Sequence, residues 1–209
     1  TTFQGLLASV AAQVQPQTGQ PYALFGHSLG ALLAFELAAQ LMRQQAPEPL
    51  VVFATGTHAP SRREVERFTR LQSDAELRAE LVRLQGTPAC VLEDAELMAL
   101  TLPILRADFQ IAGSYVCLPE RRILAPLHIV GGTEDTTTPE TLSAWREHTR
   151  GEFELSMLPG GHFFLQSQEV ELLQLVERRL RQRLAAVEGP WPWGSQSNVV
   201  QGVAPAGAE

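Results

Sequence analysis

The feature that most constrains the fold is a serine between two glycines, at a point where an apolar run gives way to a helical pattern. Residues 26–30 read GHSLG and directly follow the apolar run 22–25. Residues 29–45 then carry apolar side chains at helical spacing and end before Pro47. A strand that turns this abruptly into a helix needs glycines on both sides of the turning residue, because larger side chains would collide there. The pattern therefore predicts a buried strand, a sharp turn at Ser28 and a helix.

Short apolar runs alternate with amphipathic segments along most of the chain. We predict strands at 22–25, 50–54, 127–130 and 153–158, and helices at 3–14, 29–45, 139–149 and 168–184. Strands that alternate with helices are typical of a parallel sheet with helices packed on its faces. We therefore expect an α/β fold.

The middle of the chain, residues 62–116, has a helical pattern throughout. Ser73 and Glu76 form a capping-box pattern at the start of one helix, and Pro103 is expected to kink another. A helical stretch of this length between two sheet strands looks like a lid, although an ordinary extra layer of helices fits the pattern equally well. Three parts result: a core at 1–61 and 117–188, a helical lid at 62–116, and a disordered Gly-, Pro- and Ser-rich tail at 189–209.

The composition excludes several classes of function. The chain has 209 residues, 44% hydrophobic and 19% charged, which is typical of one globular domain. All 16 basic residues are arginines, so chemistry that needs a lysine, such as Schiff-base formation or P-loop phosphate binding, is excluded. The net charge of −7 argues against a nucleic-acid or anionic-membrane partner. No apolar run approaches the roughly 20 residues of a membrane span.

The two cysteines, Cys90 and Cys117, lie far apart and outside any CxxC pattern. This spacing favours neither a zinc cluster nor a disulfide framework. We therefore expect no metal and a reducing, cytoplasmic location.

A serine nucleophile needs a base, and the base needs an acid that orients it. His162 is the best-placed base because it follows the last predicted strand directly. There it lies on a loop at the carboxyl edge of the sheet, where ligands bind in open α/β folds. The other histidines fit this role less well: His27 is expected beside its strand, His128 begins a strand, His148 is expected on an exposed helix, and His58 is a weak candidate.

Two carboxylates follow the third predicted strand, Glu134 and Asp135. The shorter Asp135 matches an orienting acid on a turn better, and Asp108 is a remote alternative that we expect to pair with an arginine. The resulting chain order of Ser28, Asp135 and His162 is that of the α/β-hydrolases. The backbone N–H of Leu29 would then face the oxyanion that forms during acyl transfer.

Several segments in the same order resemble the type II thioesterases that accompany nonribosomal peptide and polyketide synthetases. They are FGHSLGA at 25–31, FELA at 35–38, TGTHAP at 55–60, LPILRADF at 102–109, GTED at 132–135 and LPGGHFFL at 158–165. The resemblance covers residues 3 to about 184.

The resemblance implies an α/β-hydrolase-type parallel sheet with a helical lid. It also implies hydrolysis of acyl thioesters on the phosphopantetheine arm of acyl or peptidyl carrier proteins, with Ser28 as the nucleophile, Asp135 as the acid and His162 as the base. No cofactor is implied, and we expect a cytoplasmic monomer. A medium-chain fatty acyl thioesterase or general esterase would use the same residues, and a carrier-protein binder without activity is a third interpretation.

The chain departs from this family at its start. Members begin with a strand and a Gly-rich turn that donates a second N–H to the oxyanion, and the sequence before the first helix holds neither. We therefore expect an N-terminally incomplete core, in which Leu29 supplies one donor and the strand before Ser28 lies at an edge of the sheet.

Overall fold

A parallel sheet of four strands forms the centre of the protein. The computed structural model of the chain describes residues 2–63, 68, 73–118 and 120–187. Its strands are β1 Leu24–His27, β2 Val52–Thr55, β3 Leu127–Gly132 and β4 Phe153–Leu158. They pair in parallel in the order β1-β2-β3-β4, which leaves β1 at one edge of the described sheet. The predicted α/β class, the four strands and the edge position of β1 are confirmed.

The helices surround this sheet. They are α1 Phe3–Val14, α2 Leu29–Arg43, α3 Asp74–Leu84, α4 Ala89–Glu93, α5 Ala95–Gly113, α6 Pro139–Ser143, α7 Phe164–Ser167 and α8 Glu169–Ala186. The capping box predicted for Ser73 and Glu76 is present at the start of α3. The predicted tail at 189–209 lies outside the described residues.

Several element boundaries differ from those predicted, most clearly in β1 and in the helix predicted at 139–149. β1 begins and ends two residues later than expected, because Gly26 and His27 pair with Ala54 and Thr55 of β2. The helix predicted at 139–149 is α6 followed by a 3₁₀ segment, Ala144–His148.

His148, which was expected to be exposed, is buried at 1% exposure. Its ring packs edge-on against Phe35, and its Nε2 atom lies 3.0 Å from the hydroxyl of Ser61. The prediction was wrong because a 3₁₀ segment turns its residues differently from the helix that we expected.

Each face of the sheet is buried under helices. Val52 and Ala54 of β2 pack in a core with α1 and α2, whereas Val51 and Phe53 pack on the opposite face with residues of α8. Neighbouring side chains on a strand point to opposite faces, so burial on both faces requires an unbroken apolar run. This is why residues 50–54 have no alternating pattern.

The helices of the 62–116 segment have an apolar cluster of their own. Leu77 and Leu81 of α3 pack against Met98 and Leu102 of α5. This cluster is separate from the two clusters of the sheet. These helices therefore stabilise one another in addition to any contact with the core.

A buried carboxylate ties the end of this segment to α2. Glu36 is completely buried, accepts a hydrogen bond of 2.9 Å from the hydroxyl of Tyr115, and pairs with the guanidinium of Arg121. Burial and the neighbouring Glu36 both raise the pKa of Tyr115, which therefore remains a neutral donor. A buried charge is tolerated only when it is paired and hydrogen-bonded, as it is here.

We expect Arg121→Met to reduce the free energy of unfolding by about 3–5 kcal/mol, because it leaves the carboxyl group of Glu36 buried without its cation. Urea denaturation measures the change. The matched control is Arg181→Met, which removes an ion pair with Glu177 whose side chains are 77% and 61% exposed. The control should have almost no effect, because exposed pairs contribute little. Equal effects of the two substitutions would contradict the importance of the buried pair.

Candidate active site

The site begins at a strained turn between β1 and α2. Ser28 has a φ of 55° and a ψ of −115°, a conformation that non-glycine residues rarely adopt. Strain of this kind persists where the surrounding structure enforces it, often at functional sites. Here the N–H of Ser28 donates a 2.8 Å hydrogen bond to the carbonyl of Thr55 at the end of β2. The pairing of the two strands thus fixes the position of the serine.

The two glycines of the turn have different roles. A Cβ atom at Gly26 would lie 2.0 Å from the carbonyl oxygen of Gly30, so position 26 cannot hold a larger residue without a shift of the backbone. A Cβ atom at Gly30 would meet nothing within 4 Å in the described part of the chain. The prediction that both glycines are sterically required is therefore right for Gly26 and wrong for Gly30.

Two turns at the carboxyl edge of the sheet bring Asp135 to His162. The turn after β3 lies directly against the turn after β4: a Cβ atom at Gly132 would lie 2.4 Å from the carbonyl oxygen of Gly160. The N–H of Glu134 also donates a 2.9 Å hydrogen bond to that carbonyl. Across this contact, His162 Nδ1 lies 3.1 Å from Asp135 Oδ2. The backbone contact between the turns therefore sets the distance between acid and imidazole.

The surroundings of Asp135 keep it ionised. Its side chain is 3% exposed, and burial on its own would raise its pKa. Hydrogen bonds from His162, the N–H of Thr136 and the hydroxyl of Thr137 outweigh that effect and hold the pKa below its ordinary value. An ionised carboxylate can only accept hydrogen bonds, so His162 Nδ1 carries the proton and Nε2 is left as the basic nitrogen.

The two other carboxylates considered from the sequence lie elsewhere. Glu134 is exposed on the same turn as Asp135. Asp108 is exposed on α5 and lines the cavity beside the serine. The structure thus brings Asp135 to His162, as the sequence analysis preferred.

Ser28 and His162 line a cavity of about 250 Å³. Much of its remaining wall is apolar and comes from the 62–116 segment, including Leu84, Leu105 and Phe109. The two residues also line a smaller cavity of about 70 Å³, which shares Thr57, Leu84 and Phe109 with the first. The smaller cavity adds the polar residues His58, Glu80, Arg83 and Thr136 to the surroundings of Ser28.

The helical segment rests directly on the loop that carries His162. A Cβ atom at Gly86, just after α3, would lie 1.9 Å from the ring of Phe163. Phe163 follows His162 and lines the 250 Å³ cavity with it. Contact between the segment and the loop therefore closes one side of that cavity.

His27 is a residue of the site whose contacts the sequence analysis missed. We expected its ring beside the strand, but it lines the 250 Å³ cavity, and its centroid is 4.9 Å from that of His162. Burial, followed by the neighbouring His162, lowers its pKa to about 4. Its place next to Ser28 in the chain was the signal that could have pointed to it.

No group of three or more possible metal ligands occurs in the part of the chain that the structure describes. None of the described helices is long and apolar enough to cross a membrane. A further cavity of about 570 Å³ between Phe25 and α8 contains none of the candidate site residues.

Two histidines with lowered pKa values, His27 and His128, predict how stability depends on pH. Burial is the main cause that lowers the pKa of His27 and of His128 from an ordinary 6.5 to about 4. Between these values the unfolded chain binds protons that the folded chain does not, so stability is complete above about pH 6.5 and is lost as the pH falls towards 4. The pKa of Asp135 is lowered from 3.8, so the stability that its ionised form contributes is lost only at pH values below this window.

We therefore expect urea denaturation to give a smaller free energy of unfolding at about pH 5 than at about pH 7. The variant His128→Gln, which cannot titrate at that position, should show a weaker dependence on pH than the native chain. A free energy that is the same at both pH values would contradict the neutral state of these histidines.

Comparison with known proteins agrees with this geometry. The family model of the thioesterase domain matches residues 1–180. The gramicidin S biosynthesis protein GrsT of Aneurinibacillus migulanus is 39% identical over 186 residues, which are 88% of this chain and 73% of that protein. The thioesterase PikA5 of Streptomyces venezuelae is 37% identical over 174 residues, 82% of this chain and 61% of that protein.

Solved structures give the same result. The type II thioesterase BorB from the borrelidin biosynthetic cluster superposes with a TM-score of 0.76 at 36% identity, covering 86% of this chain and 73% of that one. A match over most of the chain, in sequence and in fold, shows the family. The chain belongs to the thioesterase domain family, whose members with the α/β-hydrolase fold include the type II thioesterases of peptide and polyketide biosynthesis.

Proposed function

We propose that the chain hydrolyses acyl groups from the phosphopantetheine thioesters of acyl or peptidyl carrier proteins, as an editing enzyme of nonribosomal peptide or polyketide synthesis. The observation that carries the proposal is the bond between Asp135 and His162 on a loop that shares a cavity with Ser28. The relatives support the substrate class, since the names of GrsT, PikA5 and BorB place them in such biosynthesis or among thioesterases.

In the proposed reaction, Ser28 Oγ attacks the thioester carbonyl while His162 Nε2 takes the hydroxyl proton. The C–S bond then breaks, and the pantetheine thiol leaves with that proton. A water molecule next loses a proton to His162 and attacks the acyl ester on Ser28. The carboxylic acid departs, and the proton returns to the serine.

Asp135 and Leu29 stabilise the charges that develop in these steps. Asp135 holds the imidazole in the required tautomer and stabilises the imidazolium. Leu29 is the first residue of α2, so its N–H has no partner within the helix and can donate to the oxyanion. The positive end of the helix dipole favours the same negative charge.

The linings of the two cavities beside Ser28 support a position for each part of the substrate. We propose that an acyl chain occupies the largely apolar cavity under the 62–116 segment, and that the amides of the pantetheine arm bind near Arg83 and Thr136, which line only the smaller cavity. On this basis we propose that residues 62–116 act as a lid that selects the acyl group. The separate apolar cluster of α3 and the first half of α5 supports this role, because it lets these parts move together while Ile111, near the end of α5, stays packed in the core of the sheet.

The preferred acyl donor distinguishes this function from that of a general esterase or a fatty acyl thioesterase. Rates should be compared on acyl carrier protein, acyl-coenzyme A and p-nitrophenyl esters of the same acyl group. The highest kcat/KM on the carrier protein supports the proposal. Preference for the simple esters favours an esterase, and carrier binding without turnover favours an inactive binder.

Ser28→Ala should reduce thioester hydrolysis by several orders of magnitude and abolish labelling by a fluorophosphonate, because no other group replaces the nucleophile. Mass spectrometry of the labelled native chain should locate the probe on Ser28. The control Ser9→Ala changes an exposed serine of α1 and should leave both hydrolysis and labelling unchanged. A label on any other serine would refute the assignment.

Asp135→Asn should lower kcat by about 10⁴ without unfolding the chain, because the amide no longer holds His162 in the tautomer with Nε2 free. Glu134→Gln is the matched control on the same turn and should have little effect. Steady-state kinetics on one acyl thioester measures both variants. If Glu134→Gln were the more damaging substitution, Glu134 would be the acid, and if neither mattered, Asp108 would be the next candidate.

A further inference from the structure

The ring of His27 connects the three parts of the proposed active site. His27 ends β1 and directly precedes Ser28. A Cβ atom at Gly56 would lie 2.4 Å from the Cε1 atom of this ring, so the imidazole lies directly against the backbone after β2. On its other side the ring contacts His162, with centroids 4.9 Å apart and planes inclined at 51°. His27 therefore touches the turn of the nucleophile, the neighbouring strand and the proposed base.

Hydrogen bonding determines the tautomer of this ring. The hydroxyl of Thr55 donates to the carbonyl of Gly26 at 3.3 Å, which uses its single proton. The same oxygen lies 2.9 Å from His27 Nδ1, so it accepts a hydrogen bond from an Nδ1–H. His27 Nε2 is buried and has no hydrogen-bond partner among the described residues. The ring is therefore neutral, with its proton on Nδ1.

A neutral ring is the form that suits this position. His162 becomes positively charged in each proton transfer of the proposed mechanism, and a second cation 4.9 Å away would oppose that charge. Asp135 faces His162 from the other turn and supplies the compensating negative charge. His27 can thus contact the base without competing with it for the proton.

We propose that His27 is a positioning residue, which holds the imidazole of His162 towards Ser28 by direct contact between the two rings. The inference rests on the proposed function, because it assigns to His27 a role in the action of Ser28 and His162. It differs from a role in folding alone, since the contact is made with the loop of the base and not only with the core.

Three substitutions separate the ring contact from the hydrogen bond. His27→Phe keeps a flat ring and loses the bond to Thr55. His27→Asn can keep that hydrogen bond but has no ring. His27→Leu fills part of the volume of the imidazole but has neither the ring nor the hydrogen bond. A small displacement of a reacting group lowers turnover by about 10²-fold, so we expect the Asn and Leu variants to lose about 10- to 100-fold in kcat with little change in KM. The Phe variant should stay within about threefold of native kcat.

The measurements are kcat and KM on one acyl thioester and the rate of fluorophosphonate labelling, with the melting temperature recorded for each variant. The control is His128→Asn, which removes a buried histidine that contacts an aromatic ring, Phe53, on a neighbouring strand. It should lower the melting temperature and leave kcat unchanged.

The outcomes are distinct. Loss of kcat and labelling in the Asn or Leu variant, with rescue by Phe, supports the proposal. Native kcat in the Leu variant, or a Phe variant as slow as the Leu variant, overturns it. A native chain that neither hydrolyses thioesters nor labels at Ser28 would instead refute the proposed function on which the inference rests.

Discussion

The parallel pairing of β1 to β4 is the constraint on which the rest of the structure depends. Parallel strands all end at the same edge of a sheet, so the loops that follow them meet there. Ser28 follows β1, and Asp135 and His162 follow β3 and β4. Pairing with β2 holds the strained serine, and the close contact between the turns after β3 and β4 holds the acid against the imidazole. The sheet and its turns thus hold these three side chains at the edge where the proposed chemistry takes place.

The helical segment at 62–116 supplies walls of the site that the sheet does not provide. Its residues Leu84, Leu105 and Phe109 line the larger cavity beside Ser28. Leu84 and Phe109 also line the smaller cavity, to which the segment adds the polar residues Glu80 and Arg83. The contacts that hold the segment in place include the backbone at Gly86 on the ring of Phe163, and Tyr115 on the buried Glu36. The contact at Phe163 adjoins His162, so a change in the segment can move the loop of His162 directly.

Burial and hydrogen bonding decide the charges of two titratable groups of the site, His27 and Asp135. Burial lowers the pKa of His27 and keeps that ring neutral, whereas hydrogen bonds overcome its effect on Asp135 and keep the carboxylate ionised. His27 has one hydrogen-bonding contact, with Thr55, and burial dominates. Asp135 accepts several hydrogen bonds, and these dominate.

The sequence by itself determined those features that depend on a few neighbouring residues. These include the turn at Ser28, the apolar runs of the four strands, the capping box at Ser73 and the set of candidate residues, since turn sterics and side-chain periodicity act locally. Only the tertiary structure placed Asp135 within 3.1 Å of His162, buried His148, and set the ring of His27 against that of His162. These contacts join residues far apart in the chain, and they depend on how closely separate loops pack, which local patterns do not encode.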